Sequence, residues 1–253
     1  MGRIIAVVNQ KGGVGKTTTA VNLTAALKSR GQRVLLCDFD PQANATSGFG
    51  IEKNRPATVY HAILGLCEPR DAIVTTPHGD LMPSTPSLSG AAVELVGMED
   101  REYALKRVLD AVKDDYDTIF IDCPPSLELL TLNALCAAEQ ILVPVQCEYY
   151  ALEGLSDLMA TLRAVKARLN PGLSIFGVVL TMYDGRLNLS AQVAEEVRRH
   201  FPGNVFAAMI PRNVRLSEAP SHGLPVFAYD KYSRGAVAYD ALAKEIIKKE
   251  ARS

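Results

Sequence analysis

Cysteine is scarce in this 253-residue sequence, and the five present are poorly spaced for a metal. Cys37, Cys67, Cys123, Cys136 and Cys147 form no C-x-x-C pair and no even set. That pattern excludes a disulfide framework and gives no support to a zinc or iron–sulfur centre, so reduced thiols in a cytosol are expected. Long apolar runs are missing too, and none approaches the ~20 residues that span a bilayer. The apolar start Ile4-Ile5-Ala6-Val7-Val8 runs into Asn9 and Lys11 without a cleavage-type sequence, so no secretory leader is expected. No internal repeat, low-complexity tract or Pro/Gly/Ser linker divides the chain, and one domain over residues 1–253 follows. A strong charge of one sign is also lacking. The net charge of −1 predicts no polyanion partner by itself. Its distribution is less neutral, because acids outnumber bases up to residue 162 and bases outnumber acids after it. The last third is therefore where an anionic surface would be met, although such an imbalance is more often just a solvated face.

What is present reads as α/β. A chain of this size buries roughly 70–75% of its unfolded surface, so its core needs no staples. Short runs rich in Val, Ile and Leu alternate with helical patterns, as a mostly parallel, twisted sheet flanked by helices requires. Strands are expected at Ile4–Asn9, Arg33–Asp38, Thr118–Asp122, Gln140–Val145, Ile175–Thr181 and Val205–Ile210. Their near-continuous apolar character suits strands covered on both faces. Helices are expected near Lys16–Arg30, Glu102–Asp114, Leu127–Ala137, Leu152–Leu169, Ser190–His200 and Ala236–Lys249. The proline-containing stretch Gly48–Gly90 is read as a peripheral insertion, with a short helix near Val59–Leu64 and a strand near Leu81–Pro83.

The segment Asn9-Gln10-Lys11-Gly12-Gly13-Val14-Gly15-Lys16-Thr17-Thr18-Thr19 decides the chemistry. It follows a strand and opens a helix, the context that turns a glycine string into a phosphate cradle. Gly12, Gly13 and Gly15 let the backbone approach phosphates closely, and successive N–H groups around Val14 point inward. The helix N-terminus adds partial positive charge near Thr18. Lys16 would place its ammonium on the β- and γ-phosphates of a nucleotide, and the Thr17 hydroxyl can ligate Mg²⁺. The usual pattern has glycine where this chain has Gln10, and Lys11 stands at the front of the loop instead. Two lysines this close are costly unless anionic oxygens separate them, so Lys11 serves the same nucleotide or one in another subunit.

The run Lys11 to Thr18, K-G-G-V-G-K-T-T, resembles the deviant Walker A ATPases, the ParA/MinD group of P-loop NTPases. The resemblance implies that Lys11 crosses a two-fold axis to the phosphates bound by the partner, giving an ATP-sandwich homodimer. It also places catalytic weight on Lys11, Lys16 and Asp40, with ATP/ADP and Mg²⁺ as cofactors. The second strand ends in Asp38-Phe39-Asp40-Pro41-Gln42, with two carboxylates at i and i+2 beside the phosphate loop. By resemblance Asp38 helps hold the Mg²⁺ shell and Asp40 orients the attacking water. Ile119-Phe120-Ile121-Asp122-Cys123-Pro124-Pro125 fits a Walker B strand, whose Asp122 would bind Mg²⁺ through water. Pro211 and Asn213 lie where the family contacts adenine, though Asn213 equally suits a cap for the short helix that follows. No histidine or arginine stands in these motifs as a base or internal finger. Slow basal hydrolysis is therefore expected, raised by a partner.

Three further blocks, around Gln146 to Gly154, Ile210 to Gly223 and Tyr232 to Ala236, together with Asp40 to Thr46, resemble the small chromosomal ParA proteins often called Soj. The resemblance covers essentially the whole chain, without the operator-binding domain expected ahead of the loop in larger plasmid forms. It implies a cytoplasmic, nucleoid-associated protein whose ATP dimer binds double-stranded DNA without sequence preference. A ParB-type centromere-binding partner would stimulate hydrolysis and release it. Arg186 is the first candidate for DNA contact, with Arg215, Lys231 and Arg234 behind it. The main alternative is a membrane-surface regulator like MinD, and a cluster carrier of the same superfamily is a third. Membrane binding is not expected, because the final helix has a short apolar stripe without Phe or Trp and with acids among its lysines. Tyr149-Tyr150 are read as core or interface and His222 as a turn residue, while Glu148 stays open.

Overall fold

A computed structural model describes residues 2–126, 128–149 and 151–250. Six strands form one sheet: β1 (Arg3–Val7), β2 (Val34–Asp38), β3 (Asp80–Met82), β4 (Thr118–Asp122), β5 (Gln140–Gln146) and β6 (Ser174–Thr181). Their order is β3-β2-β4-β1-β5-β6, and every pairing is parallel. Register places Asp38 directly opposite Asp122, and Val7 beside Asp122 on the other side. Three strand ends therefore converge where the chain leaves β1 for the glycine loop.

Among the described residues eleven α-helices accompany the sheet: α1 (Lys16–Lys28), α2 (Asn44–Gly48), α3 (Val59–Ile63), α4 (Leu88–Glu94), α5 (Ala104–Asp110), α6 (Leu129–Ala137), α7 (Ala151–Arg168), α8 (Asn188–His200), α9 (Val214–Glu218), α10 (Val226–Tyr229) and α11 (Arg234–Glu250). The sheet separates two cores. Ile4, Ala6, Leu35 and Ile121 face α5, α6, α7 and α8, whereas Ile5, Val7, Leu36 and Phe120 face α1 and α11. Alternate residues of each strand thus serve opposite layers, which is why the strands read as unbroken apolar runs. The α11 stripe of Ala236, Tyr239, Leu242, Ala243 and Ile246 is buried in the second core.

Three expectations need correction. Gly48–Gly90 is not only peripheral, since it supplies β3, the sheet edge beside β2. The helix expected over Glu102–Asp114 is broken into a 3₁₀ turn at Arg101–Tyr103, α5, and another turn at Lys113–Asp115. Asp110, Asp114 and Asp115 would crowd acids at the negative end of a longer helix dipole. Val205–Ile210 is not a strand: it makes one isolated bridge to β6 at Val205 and then bends at Ala207. It touches β6 only at its ends, where Phe206 N–H donates to the Val178 carbonyl at 3.0 Å and Ile210 N–H to that of Leu180 at 2.8 Å. Between them Ala207 N–H and Ala208 N–H donate to the Glu245 carboxylate of α11, both at 2.8 Å. The Glu245 side chain has taken the Ala208 amide that a ladder with β6 would have used, and the outward Ala207 amide with it. The first residue of the helix expected at Leu127–Ala137 lies outside the described residues, and α6 is placed from Leu129.

Candidate active site

The loop after β1 is pinned by β5 and β6 and by a bond of its own. Asn9 donates its side-chain amide to the Pro144 carbonyl at 2.8 Å and accepts from Lys11 N–H at 3.0 Å. Val14 presents its carbonyl to the Thr181 hydroxyl at 2.7 Å. Gly13 and Gly15 take φ of 75° and 88°, the left-handed region that side-chain-bearing residues rarely enter. Gly15 caps α1 without any side-chain hydrogen bond, so the first-turn amides face outward with the helix dipole behind them. This is an anion cradle by construction.

Both lysines close on it. Lys16 is only 7% exposed, and its Nζ donates to the Lys11 carbonyl at 3.1 Å. Burial lowers its pKa, while Asp122, Cys123 and Asp40 pull the other way. Lys11 is half-buried and ion-paired with Glu148 at the end of β5, within the same chain.

The acids divide into two kinds. Asp38 is fully committed: Thr46 donates its N–H and its hydroxyl to Oδ2, each at 2.7 Å, and Asp40 N–H donates to Oδ1 at 3.3 Å. Burial nevertheless raises its pKa to about 6, against the lowering effect of those bonds. Asp122 is as deeply buried, yet among the described residues neither oxygen has a hydrogen bond of ordinary geometry. The Thr17 hydroxyl stands near enough to draw its pKa down, but desolvation first and Asp38 second push it well above the carboxylate range. Such orphaned buried oxygens are the expected mark of a position that a cation completes. Asp122, with Thr17 nearby, therefore fits Mg²⁺ by the state of its atoms, and Asp38 fits as a neighbour whose oxygens are already taken.

Asp40 sits at the mouth, where its carboxylate accepts from Gln42 N–H at 3.0 Å. Its backbone is tied to the β3 side, since Ser84 donates its hydroxyl to the Asp40 carbonyl at 2.7 Å and its N–H to Thr46 Oγ1 at 2.9 Å. Beside α1 a cavity of about 380 Å³ is lined by Gly15, Thr18, Pro211, Asn213 and Tyr239, which joins the Pro211 segment to the glycine loop. Asn213 also caps α9, its side-chain oxygen accepting from Arg215 N–H at 3.1 Å. The cap fixes the amide and leaves its N–H₂ side for a ligand.

A family model described as an AAA domain matches residues 2–175. The sporulation initiation inhibitor protein Soj of Bacillus subtilis is 57% identical, over 97% of this chain and 98% of its own length. The chromosome-partitioning ATPase Soj of Treponema pallidum is 51% identical over 99% of each chain. The chain belongs to the ParA/Soj family of chromosome-partitioning ATPases. Solved structures agree on this architecture. A Mycobacterium smegmatis protein described as cobyrinic acid a,c-diamide synthase with bound ADP and magnesium superposes with a TM-score of 0.87 at 39% identity, covering 99% of this chain and 96% of that one. Septum site-determining protein MinD of Pyrococcus horikoshii, complexed with Mg-ADP, gives 0.82 at 29% identity, with 99% and 98% covered.

Against that ParA/Soj background, the DNA candidates fall into two groups. Arg186 pairs with Asp184, and Arg234 lines a cavity shared with Tyr183 and Gly185. Arg186 chelates the carboxylate, with Nε to Oδ1 at 2.9 Å and a terminal nitrogen to Oδ2 at 2.6 Å, and the pair holds Asp184 down at about 2 with a smaller pull from Arg234. Lys231 lies over the Tyr232 ring, 4.9 Å from its centre. Arg215 is set apart, bound by Glu218 at 2.7 Å and Asp230 at 3.4 Å and close to the Tyr229 ring. Of the open readings, Tyr149 is exposed, which suits an interface but not a core; Tyr150 lies outside the described residues. His222 ends a 3₁₀ turn and stacks on Tyr229, as a turn residue should. Sequence reasoning passed over Thr46, Ser84 and Thr181. These are ordinary hydroxyl residues, and only the fold brings them to the site.

Proposed function

We propose that this chain is an ATP-driven DNA-segregation switch that hydrolyses ATP to ADP and phosphate. The glycine-loop amides, from Gly12 to Thr18, and Lys16 bind and orient the phosphates, while Pro211 and Asn213 border the base. Bound Mg²⁺, held by Thr17 and Asp122 with Asp38 behind them, would supply charge neutralisation at the β- and γ-phosphates. Asp40 orients the water that attacks the γ-phosphorus as the bond to the bridging oxygen breaks. The site contributes positioning and charge rather than a covalent intermediate, as phosphoryl transfer needs. Without an arginine finger of its own, the lone protein should turn over below ~1 s⁻¹.

The observation that carries this reading is the convergence of buried Lys16, an uncapped helix N-terminus and the unsatisfied Asp122 carboxylate on one loop. Lys11 extends it to a dimer. In a single chain Lys11 is held by Glu148, and a crossing to a partner's phosphates exchanges that carboxylate for a stronger anion. The ATP dimer then binds double-stranded DNA non-specifically through Arg186, Arg234 and Lys231, with Arg215 as the weakest candidate. A ParB-type partner releases it, in a cytoplasmic, nucleoid-associated cycle. The MinD-like alternative shares the architecture, but the apolar residues of α11 pack into the core rather than forming a face for lipid. Sizing with ATP and with ADP tests the switch. Asp40→Ala with ATP should give a stable dimer and Lys16→Ala a monomer. Equal dimers without nucleotide would remove the switch.

A further inference from the structure

We propose that Thr181 is a positioning residue that couples the nucleotide loop to the Arg186 loop. The inference rests on the nucleotide and DNA reading above and names a coupling route within it.

Thr181 is the last residue of β6 and is 2% exposed. Each part of it is used. Its hydroxyl donates to the Val14 carbonyl at 2.7 Å, and its own carbonyl accepts from Cys147 N–H at 3.1 Å. Its methyl lies under Gly15, 3.8 Å from where a Cβ there would sit. Val14 is itself buried, so its carbonyl has no access to water as a substitute partner. Turning that carbonyl down toward β6 leaves the neighbouring loop amides to face the opposite way, toward the phosphates.

From Thr181 the chain leads directly to the basic loop. Met182 follows with φ of 52°, a left-handed conformation that a long side chain adopts only under constraint. Tyr183 N–H is then fixed on the Ile210 carbonyl at 3.0 Å, one residue before Pro211. Asp184 and Arg186 come next, joined by three hydrogen bonds. Phosphate loop, base-side segment and Arg186 are thus connected through short, ordered backbone, with Thr181 as the only side chain in that route that touches the phosphate loop among the described hydrogen bonds. A shift of the Val14 carbonyl on nucleotide binding must move Thr181 or break its bond. Either event reorients the residues that present Arg186.

The test measures two quantities in wild type, Thr181→Val, Thr181→Ala and Thr181→Ser. The first is the affinity for a fluorescent ATP analogue with Mg²⁺. The second is the ratio of double-stranded DNA affinity with saturating ATP to that without nucleotide. Valine keeps the shape and removes the donor, and alanine removes the donor together with the methyl under Gly15. Both should bind nucleotide roughly tenfold more weakly, because a loop whose Val14 carbonyl is no longer pinned must be ordered when the phosphates bind. In both, the DNA ratio should fall toward one even at saturation, and serine should restore both readouts. A purely structural Thr181 would lower the melting temperature and leave the saturated ratio intact, which overturns the coupling alone. A wild-type ratio of one overturns the segregation reading and the coupling with it.

Discussion

At the scale of single residues, the two buried carboxylates at the ends of β2 and β4 show how one residue type takes two roles. Asp38 is surrounded by donors from Thr46 and Asp40, whereas Asp122 faces it without a hydrogen-bond partner among the described residues. Both pKa values are raised, chiefly by desolvation. For a raised acid the folded state holds its proton longer than the unfolded state does. Stability from this source is complete below the ordinary value of 3.8 and is lost as pH climbs through about 6 at Asp38 and further at Asp122. The ligand-free protein should therefore lose stability over that window. Asp122→Asn should recover it, by roughly 1–3 kcal/mol once the wild-type pair is ionised. Thermal melts of wild type and variant without Mg²⁺ or nucleotide, from pH 4 to 8, check the sign. The difference should widen as pH rises, and a difference independent of pH would rule out ionisation as the cause. The same variant should lose Mg²⁺-dependent nucleotide binding if the destabilising carboxylate is the one that holds the cation, as proposed above.

At the scale of elements, legibility followed how local the cause was. β1, β4 and β5 were readable because strands covered on both faces must be apolar throughout. The phosphate loop was readable because strand, glycines, lysine and helix are contiguous. Val205–Ile210 misled because its fate is set from elsewhere: Glu245 lies 38 and 37 residues away from the amides it binds. Thr181 was invisible for the same reason, being 167 residues from Val14. No pattern in the sequence distinguishes a strand-end threonine that buttresses a loop from one that fills space. Glu245→Gln offers a check on this account. A glutamine keeps one acceptor oxygen and turns an N–H₂ donor toward the other backbone amide, so one charge-assisted bond is lost and one weakened. A loss of about 1–3 kcal/mol is expected. Amide exchange at Ala207 and Ala208 should quicken while β6 stays protected, and nucleotide affinity should fall through the adjoining Pro211 segment. Unchanged exchange at those two amides would mean that the segment is held by its ends alone.

At the scale of the whole molecule, the question is how a chain with net charge −1 could hold a polyanion. The fold pairs Arg186 with Asp184 and sets Arg234 on a cavity beside the same loop, while Arg215 is absorbed by Glu218 and Asp230. Lone surface ion pairs are worth little, and Arg186 keeps 89% of its side chain exposed beside Asp184. A DNA phosphate can therefore displace Asp184 at small cost, but the displaced carboxylate then stands close to the phosphate and repels it. Asp184 should act as a built-in limit on DNA affinity. Asp184→Asn is expected to tighten binding of the ATP-bound protein to random-sequence DNA, and Arg186→Ala to weaken it. Arg215→Ala should do little, because its two acidic partners already consume its charge. The salt dependence separates contact from general charge: affinity should fall by about 0.9 log unit per log unit of salt for each phosphate neutralised. With two copies in the proposed dimer, each meeting one phosphate, Arg186→Ala should flatten that slope by about 1.8, and Arg215→Ala should leave it unchanged. Anisotropy titrations at four or five salt concentrations measure both slopes. An equal flattening by the two substitutions would show that DNA senses only the summed charge of the C-terminal third, and not the arrangement around Asp184.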